Sequence, residues 1–391
     1  MASILFLIGT YPNFGGTEKV TTFLANEFVS NGYKVAIASF EQTIPSLKSE
    51  LKSQINLISL SYPVLKKENK KVLGAAIRNF KVDIIINQWS LPFQTNILCR
   101  KARGSNKKCK IISVYHNAPN KNARVTDIDI ALAKQESNLL KKQLLKLKRF
   151  GVESIIRLSM HYVYKNSDQY VILSESFKKI FSDYAMLKST SKLTVITNPL
   201  TIDQVNWEKS NKEKLLIYVG RIDYNQKRVE RIVDVWEKVS KELIDWKLEI
   251  VGDGPEREKL EALVLKRNIQ RITFEGFQNP LDYYKRASLL LLTSEYEGFG
   301  LVIVEGMRYG VVPIVYGSYE SVYDLIENEK TGCITSVPYN SGDIEKSIKK
   351  LATDENCLLE MSNNCIEESE KFTIGEISKK WNELFNKLVN K

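Results

Sequence analysis

The chain has 391 residues, 43% of them apolar and 26% charged, with a formal net charge of +11. That length favours two domains over one, and the composition suits globular cores with a soluble surface. Five cysteines, at 99, 109, 333, 357 and 365, form no C-x-x-C pair and no Cys/His cluster, so neither a zinc site nor a disulfide framework is indicated and a reducing cytosol fits.

Ser3 to Ile8 reads as a first parallel strand. Its apolar run is too short for a signal-peptide core, and no later run reaches the ~18 apolar residues that span a bilayer. A loop from Gly9 to Gly16 follows, then a helix from Thr17 to Asn31, ended by Gly32. Lys34 to Phe40 is the second strand, giving a doubly wound beginning. Gly15 and Gly16, just before the helix, let the backbone approach an anion; a plain tight turn accounts for them equally well.

Val82 to Ile86 and Lys110 to Val114 read as further strands. His116 lies just past the second of these, where open α/β sheets place ligands. His161 sits in a helical stretch and reads as packing or surface. Residues 121–165 interleave Lys134, Lys141, Lys142, Lys146, Lys148, Arg149 and Arg157 with Leu139, Leu140, Leu144, Leu145, Leu147 and Phe150. This pattern fits a basic amphipathic helix on a membrane or a solvated helix covering the core. Asp127-Ile128-Asp129 is a weak D-x-D match without further ligands, and no metal is assigned to it.

Gln169 to Leu173 is another strand, Ser174 to Ser176 resembles a helix cap, and Val195 to Pro199 reads as a last strand and turn. The linker is expected within residues 201–213. A second domain opens with the strand Leu215 to Val219, then Gly220-Arg221, with Lys227 six residues on. Basic side chains just past a strand end can reach a diphosphate. Trp246 to Val251 leads into Gly252-Asp253-Gly254-Pro255 and a helix. A dinucleotide fingerprint would need glycine where Arg257 stands, which disfavours a nicotinamide enzyme. Ile272 to Phe274 leads to Gly276-Phe277.

The strand Leu289 to Leu292 runs into Glu297-Gly298-Phe299-Gly300-Leu301, and a helix then carries Glu305, eight positions after Glu297. Free N–H groups at such a helix start favour an anion, and flanking carboxylates suit hydroxyl groups. Two solvated glutamates would fit the bare spacing. Amphipathic helices fill 343–370, and a core-forming stripe of Ile377, Trp381, Leu384, Phe385 and Leu388 marks the last helix.

Four of these stretches, taken in order, resemble the retaining glycosyltransferase family 4: Gly15-Gly16-Thr17-Glu18-Lys19-Val20, the Arg221/Lys227 pair, Val251 to Pro255, and Glu297 to Glu305. The resemblance implies an α/β GT-B fold, two Rossmann-like doubly wound domains facing a central cleft. Residues 1–205 would bind the acceptor, 206–372 the nucleotide sugar, and 373–391 would cross back to the first domain. It implies a metal-independent hexosyltransferase with no cofactor and no protein nucleophile, the departing phosphate drawing the acceptor proton.

Within that resemblance, Arg221, Lys227 and the N–H groups of Phe299, Gly300 and Leu301 grip the donor diphosphate. Gly16, beside Gly15, touches it from the other domain. Glu305 holds the ribose, Glu297 and His116 the transferred sugar, and backbone groups at Gly276 and Phe277 the base. Arg221, Lys227, Glu297 and His116 form the catalytic set. The donor is a nucleotide-diphosphate sugar, UDP being favoured; the acceptor is a glycan or a polyprenyl-diphosphate-linked glycan of bacterial surface polysaccharide or glycoconjugate synthesis. A GT-B nucleotide-sugar epimerase and a non-catalytic nucleotide-sugar-binding subunit are the alternatives.

Charge is uneven. Residues 1–205 hold 30 basic and 14 acidic residues, and residues 206–391 hold 27 and 32. The basic half lacks a nucleic-acid motif, so an anionic membrane surface is the expected partner and nucleic acid is not. The expected location is cytoplasmic, peripheral to the inner face of the cell membrane.

Overall fold

The computed structural model describes residues 2–133, 139–202 and 212–389. Lys134 of the basic segment and residues 203–211 of the expected linker lie outside them. The chain divides into two compact units, Met1–Thr201 with Phe372–Lys391, and Ile202–Lys371.

In the first unit, Ser3–Thr10 (β1), Gly16–Ser30 (α1), Lys34–Glu41 (β2), Asn56–Ser59 (β3), Lys67–Asn79 (α2) and Ile84–Asn87 (β4) are followed by Phe93–Arg103 (α3), Lys110–Tyr115 (β5), Ala123–Ala133 (α4), Leu139–Asn166 (α5), Gln169–Ile172 (β6), Phe177–Tyr184 (α6) and Leu193–Val195 (β7). Among the described residues they build a seven-stranded sheet in the order β3-β2-β1-β4-β5-β6-β7, with parallel pairing throughout. Strands covered on both faces read as unbroken apolar runs. Accordingly Leu5 and Leu7 pack with Leu73, Ile77 and Leu98 of α2 and α3, while Phe6 stacks on Phe28 of α1.

The second unit contains Leu215–Val219 (β8), Val229–Val239 (α7), Lys247–Val251 (β9), Arg257–Lys266 (α8), Ile272–Gly276 (β10), Leu281–Arg286 (α9), Leu289–Leu292 (β11), Leu301–Arg308 (α10), Val312–Tyr316 (β12), Val322–Leu325 (α11), Cys333–Thr335 (β13), Ser341–Thr353 (α12) and Glu355–Ser369 (α13). Its six described strands run β10-β9-β8-β11-β12-β13, again in parallel. Both sheets therefore reverse strand order once, between β1 and β4 and between β8 and β11. Open α/β sheets bind ligands beyond the strand carboxyl ends at such a reversal.

Ile374–Val389 (α14) belongs to the first unit. Its Trp381 and Phe385 rings pack edge-on against Phe28, and Asn31 Nδ2 donates to Ser378 Oγ at 2.9 Å. Two large aromatics buried on one helix account for its docking; truncating either to alanine costs about 3–5 kcal/mol.

Two local expectations are corrected. Of the strand and turn expected over Val195 to Pro199, the strand falls earlier, at Leu193–Val195. Pro199 has no N–H for a ladder, and Leu200 N instead donates to Phe372 O at 2.7 Å. Ser176 does not cap α6 through its side chain. The turn is closed by backbone carbonyls, with Phe177 N donating to Ser174 O and Lys178 N to Glu175 O.

Candidate active site

In the second unit the chain leaves β8 through Gly220 and Arg221, and one buried carboxylate organises the loop into α7. Asp223 Oδ2 accepts from Arg221 Nε at 2.8 Å, and Oδ1 accepts from the backbone N–H of Gln226 at 2.7 Å and of Lys227 at 3.2 Å. Charge-assisted bonds of this kind fix both partners. The Arg221 side chain is therefore aimed while staying 64% exposed, within reach of an incoming anion.

Lys227 Nζ donates to Glu297 Oε1 at 2.6 Å, and both side chains are largely buried. The surrounding loops are stitched too: Gln226 Nε2 donates to Tyr296 O at 3.1 Å, and Glu295 N to Gln226 O at 2.7 Å. The loops after β8 and β11 thus meet where the strand order reverses. Burial, and then the nearby Glu297, hold the Tyr218 and Tyr319 phenols well above their ordinary range. Tyr218 remains a donor, to Arg221 O at 2.8 Å.

The Glu297-to-Glu305 stretch enters α10 through Gly300, whose φ of 92° lies in the left-handed region. A β carbon there would also press on Ile303 Cδ1, so glycine serves both conformation and space. First-turn N–H groups have no partner within a helix, which gives Leu301 and its neighbours their anion-binding character. Glu305 is buried and accepts from the Tyr284 hydroxyl at 3.1 Å. Burial and then Glu305 raise that phenol well above its usual range, so it stays a donor.

The Val251 to Pro255 element has a bracing role. Gly252 has φ 139°, and a β carbon would collide with the Gly220 carbonyl. Gly220 N donates to Val251 O at 3.0 Å, and Ile222 N to Asp253 O at 2.9 Å. The Arg221 loop is thus pressed onto the end of β9. Gly276 accepts from Gly252 N at 2.8 Å, and Phe277 beside it is exposed.

In the first unit a pocket of about 250 Å³ lies at the carboxyl ends of β1, β4 and β5, lined by Thr10, Glu18, Tyr62, Gln88, Trp89 and His116 among others. His116 Nε2 and Gln88 Oε1 are 2.6 Å apart. Their other polar atoms, His116 Nδ1 and Gln88 Nε2, are buried without a partner. Whichever way the amide and the ring tautomer are assigned, the pair keeps one unmet donor and one unmet acceptor, and a hydroxyl group satisfies both. Burial holds the His116 imidazole down at about 4, so it is neutral at pH 7.

Gly15 and Gly16 begin α1 at this pocket. The Gly15 backbone is extended, so φ does not require glycine; a β carbon there would run into the Glu18 carboxylate, which folds back over the helix start. Burial raises the Glu18 carboxyl above its ordinary value. An anion approaching Gly16 would meet this side chain first.

The structure therefore joins Lys227 directly to Glu297 and brings in Arg221 through Asp223. Glu305 takes its bond from Tyr284. Gly276 and Phe277 sit at the end of β10, and Gly15, Gly16 and His116 lie in the other unit. Residues 201–372 match the family model for Glycosyl transferases group 1, and residues 14–204 match the model for Glycosyltransferase Family 4.

The chain belongs to glycosyltransferase family 4.

Relatives of this family 4 glycosyltransferase agree over full length. An uncharacterized glycosyltransferase of Haemophilus influenzae is 24% identical over 97% of this chain and 99% of its own. A Campylobacter jejuni protein is 25% identical with 100% of each chain covered, and is named a GalNAc-alpha-(1->4)-GalNAc-alpha-(1->3)-diNAcBac-PP-undecaprenol alpha-1,4-N-acetyl-D-galactosaminyltransferase. Among solved structures, a mutant of S. aureus TarM in complex with Fondaparinux, alpha-GlcNAc-glycerol and UDP is similar at TM-score 0.75 and 14% identity, covering 99% of this chain and 100% of that one. The fold is GT-B and the enzyme is a transferase. Sequence reasoning missed Asp223, Gln88 and Glu18. Glu18 stood inside the Gly15-to-Val20 stretch without a role assigned to it, and Asp223 left the signal of a short carboxylate placed to accept amides three and four residues on, as turn-forming aspartates do.

Proposed function

We propose that this glycosyltransferase moves a hexosyl unit from a nucleotide-diphosphate sugar, UDP being favoured, to a glycan or polyprenyl-diphosphate-linked acceptor with retention of configuration. The observation that carries this is the cationic pair at the strand reversal of the second unit: Arg221 set by Asp223, and Lys227 set by Glu297. As the sugar departs, charge grows on the β-phosphate. Groups already aimed at that charge lower the barrier without reorganising.

Arg221 meets the diphosphate as a forked donor, Lys227 as a point charge, and the Phe299, Gly300 and Leu301 N–H groups close the cradle. No metal or cofactor is needed to supply positive charge there. Glu297 orients Lys227 with one oxygen and takes a sugar hydroxyl with the other. Glu305 takes the ribose hydroxyls, and Gly276 and Phe277 flank the base. His116 with Gln88 gives a sugar hydroxyl both an acceptor and a donor; Gly16, with Gly15, approaches the phosphate once Glu18 moves aside. The departing phosphate takes the acceptor proton.

Turnover of UDP-, GDP- and ADP-sugars by the purified chain tests this. Release of the nucleoside diphosphate that requires an acceptor supports transfer. Equal release without one, or sugar isomerisation alone, contradicts it.

The acceptor reading draws support from the undecaprenol-linked substrate named for the Campylobacter relative. The basic first half of the sequence supports a cytoplasmic enzyme held peripherally on the inner membrane face. Among the described residues no helix is long and apolar enough to cross a membrane.

A further inference from the structure

The 28-residue helix α5 carries two apolar faces, and the fold uses one of them. Ile156, Met160, Val163 and Tyr164 are buried against β5, β6 and α6 side chains such as Tyr115, Tyr170 and Phe181. On the other side Leu140, Leu144, Leu147, Ile155 and Leu158 are all largely exposed, from 60% at Leu158 to 86% at Leu140. Steps of four, three, eight and three residues keep them within one narrow stripe, at ~100° per residue. Gly151 lies in the same stripe with open space above it. The stripe is ~27 Å long at 1.5 Å per residue. Phe150 and Leu139, also exposed, widen one edge of it.

Single exposed apolar residues need no explanation, but a contiguous patch on this scale does. Its flanks identify the occupant. Residues 139–158 hold six basic residues, Lys141, Lys142, Lys146, Lys148, Arg149 and Arg157, and one acid, Glu153. That acid is paired with Arg149. Lys141 and Lys148 border the stripe on its other edge, and their long stems can lie along apolar surface while the ammonium reaches outward. A symmetric pairing of two such helices would press like-charged flanks together. An anionic lipid surface matches both the apolar stripe and the basic margins.

We propose that the outer stripe of α5 is the element that lies in the headgroup boundary of an anionic bilayer, with its axis along the surface. It rests on the peripheral attachment proposed above and is independent of the donor chemistry. The full chain is floated with phosphatidylglycerol–phosphatidylcholine vesicles and, separately, with phosphatidylcholine alone, at physiological salt. The wild type floats with the anionic vesicles. L144E/L147E lowers vesicle binding by roughly tenfold or more, as expected when charge replaces an inserted apolar face, and K141A/K148A weakens it on anionic vesicles only. Thermal melting of each variant like the wild type shows that the fold is intact. L144E/L147E floating as well as the wild type overturns the assignment to α5 while leaving attachment standing. A wild type that does not float overturns attachment itself. Sedimentation showing a wild-type dimer that L144E/L147E dissolves, without vesicle binding, gives the stripe to a second copy of the chain.

Discussion

Lys227 and Glu297, seventy residues apart, form a buried ion pair at 2.6 Å that ties the loop after β8 to the loop after β11. Removing one partner of such a pair leaves the other uncompensated, which costs about 3–5 kcal/mol, whereas replacing both is far milder. Lys227→Met should therefore lower the unfolding free energy of the second unit by several kcal/mol, and the double variant K227M/E297Q should regain part of the loss. Urea denaturation of the single and double variants measures this. Additive losses would show that the two side chains are not coupled.

On the function proposed above, Asp223 is a positioning residue: it bonds Arg221 and the amides of Gln226 and Lys227, and would reach the donor only through them. Asp223→Asn retains the volume but weakens the acceptor for the guanidinium. We expect kcat to fall by about 10²-fold, as when a group aimed at developing charge is lost, with a smaller change in donor KM. A change in KM alone would assign Asp223 to ground-state binding.

The contact between Gly252 and Gly220 gives a prediction far from any ligand. A methyl group at 252 meets the Gly220 carbonyl, and the φ of 139° is itself strained for alanine. Gly252→Ala should destabilise the second unit by roughly 2–4 kcal/mol, through misfit of a side chain to the backbone, and should displace Arg221. Thermal unfolding and initial rates report the two effects. An unchanged melting temperature would mean that the loop has another way to settle.

Much of the fold was legible in the sequence because buried parallel strands leave plain marks. Leu289 to Leu292 and Leu215 to Val219 are unbroken apolar runs ended by loop residues, and each is a strand with those bounds. The helix stripe of Trp381 and Phe385 could be read from spacing alone. The site was less legible. Arg221, Lys227 and Glu297 could be picked out by position and resemblance, but their coupling depends on β8 and β11 becoming neighbours, which no local pattern states. Asp223 reads as an ordinary turn residue until its three donors are seen. The unmet atoms of Gln88 and His116 come from two separate strand ends. In α5 the leucines and lysines suggested one apolar face, whereas the helix has two: Ile156 and Met160 are buried while Ile155 and Leu158, at the same level, are exposed.

His116 gives a pH dependence with a definite sign. Its imidazole is held at about 4, against an ordinary 6.5, by burial. Below pH 6.5 the unfolded chain takes up a proton that the folded chain declines. The stabilisation is thus fully present above 6.5 and is lost as pH falls towards 4, by on the order of 3 kcal/mol. Denaturation at pH 7 and pH 4.5 should show a larger acid loss for the wild type than for His116→Asn. Equal losses would mean that His116 titrates normally.

Whether Arg221, aimed by Asp223, grips the donor diphosphate is tested most directly by calorimetric titration of UDP into the wild type and into Arg221→Ala. Loss of a forked charge-assisted contact should weaken UDP binding by about 10- to 100-fold, or ~1.4–2.8 kcal/mol, with the variant melting like the wild type. UDP bound equally well by both proteins would contradict it.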